Sequence, residues 1–494
     1  MHTFLNNPVL ASWLYFPKFP FMLQLRMPRV EHHASPDSLL GQLQRGRGEG
    51  YLRILSIPKQ DACELLLDCI CNDPRLDSQV ESRAEYDASI AMELELDLAP
   101  LANHLHEQDD IDQGWNTPLA VQTLSELAKR GYRDAALILC DYVEWGQWWD
   151  WDLDNLMALP NLEIQANVAR AIERRFSTDE RLEEALVGRW LEEVTWLTLS
   201  RHSQRIAGIK EKGWREKAKA GMELSPVAHW TSLSTKQLLE LADNRTRHHL
   251  RKLIVQTVSP SEIPLLMDNV SLANPFVADI ALTGLAHLAP DGIFGWIREF
   301  WSTHPEMPYF LRDRFVNLIV SLSPALTMPM AREMLFHENE QERFLAEELF
   351  EAHAVSEDIP ILRSALKQSL EDDAEFSYRL CTLTDAFAKL PGAGYIPEFS
   401  DVFIQFRYSY GRIRAATAMS ITSPDFFRDH FAKECLWDCE SETRAVGAKF
   451  ARLGDNASFD RVHKLASNPF EEEEVRAEAG KRLRNNPHEP HVTI

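Results

Sequence analysis

Between about residue 245 and residue 484, apolar residues recur at helical spacing in paired stretches, each pair closed by proline or a Ser/Asp break. The second stretches can be laid over one another roughly eight times. They read His249-Leu250-Arg251-Lys252-Leu253-Ile254, Phe276-Val277-Ala278-Asp279-Ile280-Ala281, Phe310-Leu311-Arg312-Asp313-Arg314-Phe315 and Arg343-Phe344-Leu345-Ala346-Glu347-Glu348. Phe376 to Leu380, Ile413 to Ala416, Thr443 to Val446 and Val475 to Glu478 continue the series. Pro260, Pro290, Pro324 and Pro424 stand at a matching offset, with Pro391 in the same role, and neighbouring breaks lie 30 to 35 residues apart. That is the period of an array of helix pairs. One such pair cannot bury its own apolar face, so neighbours must stack to make a core. A long open surface results, which predicts binding without naming what is bound.

Upstream the same pattern continues with a less regular period. Ser35-Pro36-Asp37-Ser38 reads as an N-cap ahead of Leu39, Leu40 and Leu43. Arg45-Gly46-Arg47-Gly48-Glu49-Gly50 follows; no strand pattern precedes it and no Gly-Lys-Ser/Thr comes after, so it is expected to be a flexible turn between helices. Helices are predicted near 59–72, 80–107 (interrupted around Pro100) and 117–131, with Gly131 at a C-terminus that favours a left-handed residue. Two more are predicted at Ala135 to Val143 and Ile164 to Ile172. Strict alternation with β-branched residues is scarce. The expected fold is all-α, an α-solenoid of stacked antiparallel helix pairs. Its expected parts are an extension outside the fold (1–35), an N-terminal helical region (36–200), a basic junction (201–222), the C-terminal repeats (223–484) and a tail (485–494).

The repeats resemble HEAT-type, armadillo-like helical repeats. In that family the second helix of each pair commonly carries Val-Arg-x-x-Ala. Ile413-Arg414-Ala415-Ala416-Thr417-Ala418 and Val475-Arg476-Ala477-Glu478-Ala479 match it, and Thr443-Arg444-Ala445-Val446-Gly447-Ala448 comes close. The alanines allow close helix approach, and the arginine can join a polar ladder between units. Two earlier copies have Ala278 and Ala346 where the arginine should stand, which predicts gaps in that ladder. The resemblance implies a scaffold class and brings no activity with it.

Composition narrows this reading. At 494 residues the chain exceeds what one hydrophobic core usually serves. With 75 acidic residues against 52 basic, the net charge of −23 disfavours general coating of nucleic acid or anionic membrane. Seven cysteines, scattered among apolar residues, point to a reducing compartment, hence the cytoplasm. Leu5 to Leu23 is apolar but broken by Pro8, Pro17 and Pro20, and no Lys or Arg precedes Lys18. Neither a signal peptide nor a membrane span is therefore expected there, and the working chain is expected to begin at Met22 or Met27.

The densest aromatic cluster is Tyr142, Trp145, Trp148, Trp149 and Trp151, interleaved with Glu144, Asp150, Asp152 and Asp154. It reads either as a recognition loop for a partner's basic or apolar segment, or as a plug between two helix pairs. A protein partner is expected, with Trp145, Trp148, Trp149, Asp150, Trp151 and Asp152 as contacts. The alternative is a nucleic-acid site. Arg201, Arg205, Lys210, Lys212, Arg215, Lys217 and Lys219 face only Glu211 and Glu216, a local net of +5, and Arg247 and Arg251 stand near in sequence. HEAT-like DNA glycosylases hold duplex DNA in a basic groove, although such proteins are usually basic overall. His104 and His106 with Glu107, Asp109, Asp110 and Asp112 have metal-friendly chemistry. On a helix, however, side chains two apart diverge by ~200°, so an acid-rich turn is expected. Cys435 and Cys439, near His430 and His463, are expected to share a helix face as buried core thiols. No catalytic fingerprint occurs, and a non-catalytic protein with no cofactor and no metal is expected.

Overall fold

The computed structural model describes residues 33–78, 80–108, 117–149, 153–176, 227–244, 246–304, 307–371, 378–390 and 393–485. Among these residues every regular element is helical and no strand occurs, so the fold is all-α. The N-terminal part comprises α1 (Leu39–Gln44), α2 (Gly48–Ile54), α3 (Lys59–Cys71), α4 (Ala84–Leu94) and α5 (Ala99–Gln108). It continues with α6 (Thr117–Lys129), α7 (Arg133–Trp145), α8 (Leu153–Ala158) and α9 (Leu162–Phe176). The break between α4 and α5 falls earlier than Pro100 suggested. Glu95 adopts left-handed backbone (φ 47°) and turns the chain, while Pro100 sits harmlessly in the first turn of α5. Gly131 (φ 92°) ends α6 as expected: Tyr132 N–H donates to Leu127 O and Gly131 N–H to Ala128 O, both at 3.0 Å.

The C-terminal part begins with α10 (Thr235–Glu240), α11 (Arg247–Thr257), α12 (Ile263–Asp268), α13 (Pro275–Leu288), α14 (Phe294–Thr303) and α15 (Tyr309–Ser321). Then come α16 (Pro324–Met334), α17 (Glu340–His353), α18 (Ile359–Glu371), α19 (Tyr378–Phe387), α20 (Pro397–Gln405) and α21 (Ser409–Thr422). The last are α22 (Pro424–His430), α23 (Ala432–Cys435), α24 (Ser441–Phe450), α25 (Asn456–Ser467) and α26 (Glu473–Asn485). The repeated second stretches fall on α11, α13, α15, α17, α19, α21, α24 and α26, and each of these packs on the next in that order. The intervening helices pack on their own partners, α12 on α13, α14 on α15, α16 on α17 and so on to α25 on α26. Pro324 and Pro424 open α16 and α22, where a missing N–H costs nothing. Pro260 and Pro290 lead 3₁₀ turns into α12 and α14. Pro391 lies outside the described residues.

Arginine–carboxylate pairs join successive second helices. Arg251 of α11 and Arg314 of α15 both reach Asp279 of α13, at 2.6 and 3.2 Å. Arg379 of α19 reaches Glu347 of α17, and Arg414 of α21 reaches Asp385 of α19, both at 2.7 Å. Asp279 and Glu347 directly follow Ala278 and Ala346, where gaps in the ladder were expected. At those two copies the link is instead made by a buried acid receiving an arginine from its neighbour.

The first described helices meet the later ones across the sequence. Gly46 (φ 65°) closes α1, with Gly46 N–H donating to Leu43 O and Arg47 N–H to Gln42 O. The turn then lies flush on the loop after α23. A Cβ on Gly46 would stand 2.5 Å from Cys439 Sγ, and one on Gly48 would stand 1.9 Å from Glu434 O. Cys439 N–H donates to Gly46 O at 2.9 Å, and Arg47 grips the Glu434 carboxylate at 2.8 and 3.1 Å. The expected helix-to-helix turn is confined to Arg45–Gly46–Arg47, since Gly48 to Gly50 begin α2, and Gly46 and Gly48 serve close approach to residues nearly the whole chain away. Around it, Arg83 Nη1 donates to Cys439 Sγ at 2.7 Å, and Glu81 accepts from Ser409 N–H at 2.9 Å. Arg412 is fully buried against Asp438 (2.7 Å), and Arg444 binds both Glu85 of α4 (2.9 Å) and Glu471 (2.6 Å). Burial pushes the Cys439 thiol well above its usual range and outweighs Arg83 and Arg412 beside it. It is a neutral thiol between guanidinium groups.

Candidate partner-binding groove

Helices α5 and α7 both rest on α6, and a groove of about 260 Å³ lies between them. Its walls are Ala102 and Leu105, one turn apart on α5, and Leu137 and Ile138 of α7, with Asp141 one turn further along the same helix. The His106 ring stacks on Trp145, with centroids 4.2 Å apart and planes 23° from parallel. Trp145 Nε1 donates to Asp141 Oδ2 at 3.2 Å, and His106 Nε2 stands 3.4 Å from the same oxygen. One carboxylate therefore orients both rings. His106 and Asp141 remain exposed while Trp145 is half-buried. The result is an apolar slot with an aromatic lip and a solvent-facing negative charge.

The tryptophans expected to act together divide. Trp149 is 7% exposed, and the Arg175 guanidinium of α9 lies 5.4 Å from its ring centroid. Arg175 Nη1 also donates to Gly146 O at 2.6 Å, tying α9 to the end of α7. Gly146 is required there, because a Cβ would come within 2.3 Å of the buried Tyr142 ring. Trp149 thus plugs the junction, Trp148 is half-buried beside it, and Trp145 reaches the groove mouth. Asp150, Trp151 and Asp152 lie outside the described residues. Sequence reasoning missed His106 and Asp141 as groove residues; the signal available was Asp141 one helical turn before Trp145.

Of the basic candidates, Arg201, Arg205, Lys210, Lys212 and Arg215 lie outside the described residues. Arg247 packs over the Phe310 ring at 4.9 Å and Arg251 pairs with Asp279, so both are occupied by neighbouring helices. Among the described residues no group of three or more His, Cys, Asp or Glu is placed to hold a metal ion. Cys435 and Cys439 are both buried, but they do not share a helix: α23 ends at Cys435 and Cys439 lies in the following loop.

No family model matches the chain. No curated protein matches it either. Among solved structures, an engineered protein determined by the Northeast Structural Genomics Consortium aligns with 89% of this chain and 98% of its own. Its identity of 12% and TM-score of 0.24 are too low for that likeness to carry an argument. No helix among the described residues is long and apolar enough to cross a membrane.

Proposed function

We propose that this protein is a non-catalytic scaffold or adaptor, a HEAT-like α-solenoid that holds a protein partner. The groove between α5 and α7 is the observation that carries the reading. An apolar slot lipped by Trp145 and edged by Asp141 suits a partner segment with one large apolar side chain and a neighbouring Lys or Arg. The stacking order of α11 to α26 and the arginine–carboxylate ladder support the solenoid part of the reading. Seven free cysteines accord with the cytoplasm as its place of work.

The test is affinity purification from the native host with three chains: unaltered, Trp145→Ala with Asp141→Asn, and Gly292→Ala as a surface control. The double variant should lose partners that the other two retain, with its helical circular dichroism unchanged. Identical sets of partners would remove the groove from the reading. Retention of duplex or single-stranded DNA in gel shifts at about 50 mM salt, lost steeply as salt rises, would favour the nucleic-acid alternative instead.

A further inference from the structure

A larger cleft, about 480 Å³, opens between α14 and α16, within the range of small-molecule sites. It is independent of the α5–α7 groove. Its floor is Ile297, Trp301, Ile319, Met330 and Leu345, all buried. Phe294 adds a second ring to the wall. The polar lining is unequal. Glu333 and Glu342 stand on the α16–α17 side, and Glu342 Oε2 is shut off from solvent with no hydrogen-bond partner. A carboxylate oxygen left that way is costly unless a donor reaches it. His337, also in the lining, accepts the Asn339 N–H at Nδ1 (3.1 Å), so that ring atom is committed to the backbone. Arg298 is exposed on the opposite wall.

Aromatic rings, a methionine thioether and an undersatisfied carboxylate around one apolar space are what an organic cation recognises. We propose that the cleft between α14 and α16 binds a small organic ammonium with an apolar body, its charge at Glu342 and its body over Trp301 and Met330. Arg298 is the arginine of the lining, and its positive charge opposes a cationic ligand.

Calorimetric titration of the full chain with octylammonium, octanoate and octanol tests this, because the three share a body and differ in head. Octylammonium should bind ~tenfold or more tightly than the other two. Glu342→Gln should weaken it by a similar factor, and Arg298→Ala should strengthen it. Glu371→Gln, on an exposed helix end elsewhere, should change nothing. Equal binding of the three probes, no binding of octylammonium, or binding indifferent to Glu342→Gln would each overturn the proposal. A Lys-bearing amphipathic peptide that binds where octylammonium does not would overturn it too, and would assign the cleft to a protein partner.

Discussion

Replacing Arg444 with methionine should release the N-terminal helices from the C-terminal ones. All five N–H donors of this guanidinium are used: Nε and one Nη2 proton on Glu471 (3.1 and 2.6 Å), the other Nη2 proton on Glu85 (2.9 Å), and Nη1 on the Asp438 and Cys439 carbonyls (2.9 and 2.8 Å). The residue is 3% exposed and Glu471 is 4% exposed. Methionine fills similar space but strands a buried carboxylate and two carbonyls, which costs about 3–5 kcal/mol. A chain of this length need not unfold in one step, so local opening is the better observable. Amide hydrogen exchange in α2 and α4 should accelerate by roughly 10²–10⁴-fold, with α13 and α15 unchanged. Removing the acids as well, in Arg444→Met with Glu471→Met and Glu85→Leu, should recover most of the protection, because an apolar trio leaves no unpaired charge. Less than ~tenfold acceleration in α4, equal acceleration in α13, or a triple variant no better than the single one would refute the reasoning.

Asp87, fully buried near Arg83, Arg75 and Asp73, has its carboxyl raised by burial from 3.8 to about 7. A carboxyl raised in the folded state favours folding below its unfolded value and loses that contribution as pH climbs through about 7. The protein should therefore be less stable at pH 8 than at pH 5. In urea titrations Asp87→Asn should shrink that difference by ~2–3 kcal/mol, and an unchanged pH slope counts against it. Gly48→Ala should cost ~1–3 kcal/mol and loosen α2 in hydrogen exchange, because its Cβ meets the Glu434 backbone carbonyl. Gly292→Ala, with nothing within 4 Å, should be near neutral. Trp149→Ala should destabilise by about 3–5 kcal/mol in thermal unfolding. Trp145→Ala should cost far less, and equal losses would contradict the division between plug and lip.

The helix pairs from α11 to α26 were legible because apolar spacing and prolines are local signals, and Pro324 and Pro424 stand where a helix must start. The α4–α5 break was less legible. It depends on a left-handed glutamate, Glu95, a conformation its side chain does not favour and its sequence does not advertise. The ladder at Asp279 and Glu347 was missed because the resemblance directed attention to a missing arginine rather than to the acid beside it. For the candidate groove, the tryptophans drew notice by number, yet number does not separate a buried Trp149 from a lipped Trp145. That separation comes from Gly146 and Arg175, which set the path of the chain after α7. At the junction between the first and the last helices, the partners had no local signature. Gly46 and Gly48 announce a tight approach, but nothing near them says that Cys439 and Glu434 are what they approach.

That junction also bears on synthesis. Glu85 and Arg444 are 359 residues apart, and a ribosome adding about 5–20 residues per second separates them by roughly 20–70 s. Throughout that interval Arg47 of the α1–α2 turn has emerged without Glu434, and Glu85 of α4 without Arg444. A nascent chain stalled or cleaved before α24 would present that unfinished, charge-studded face to chaperones and proteases. Completion of the last helices is therefore what retires the first ones from surveillance.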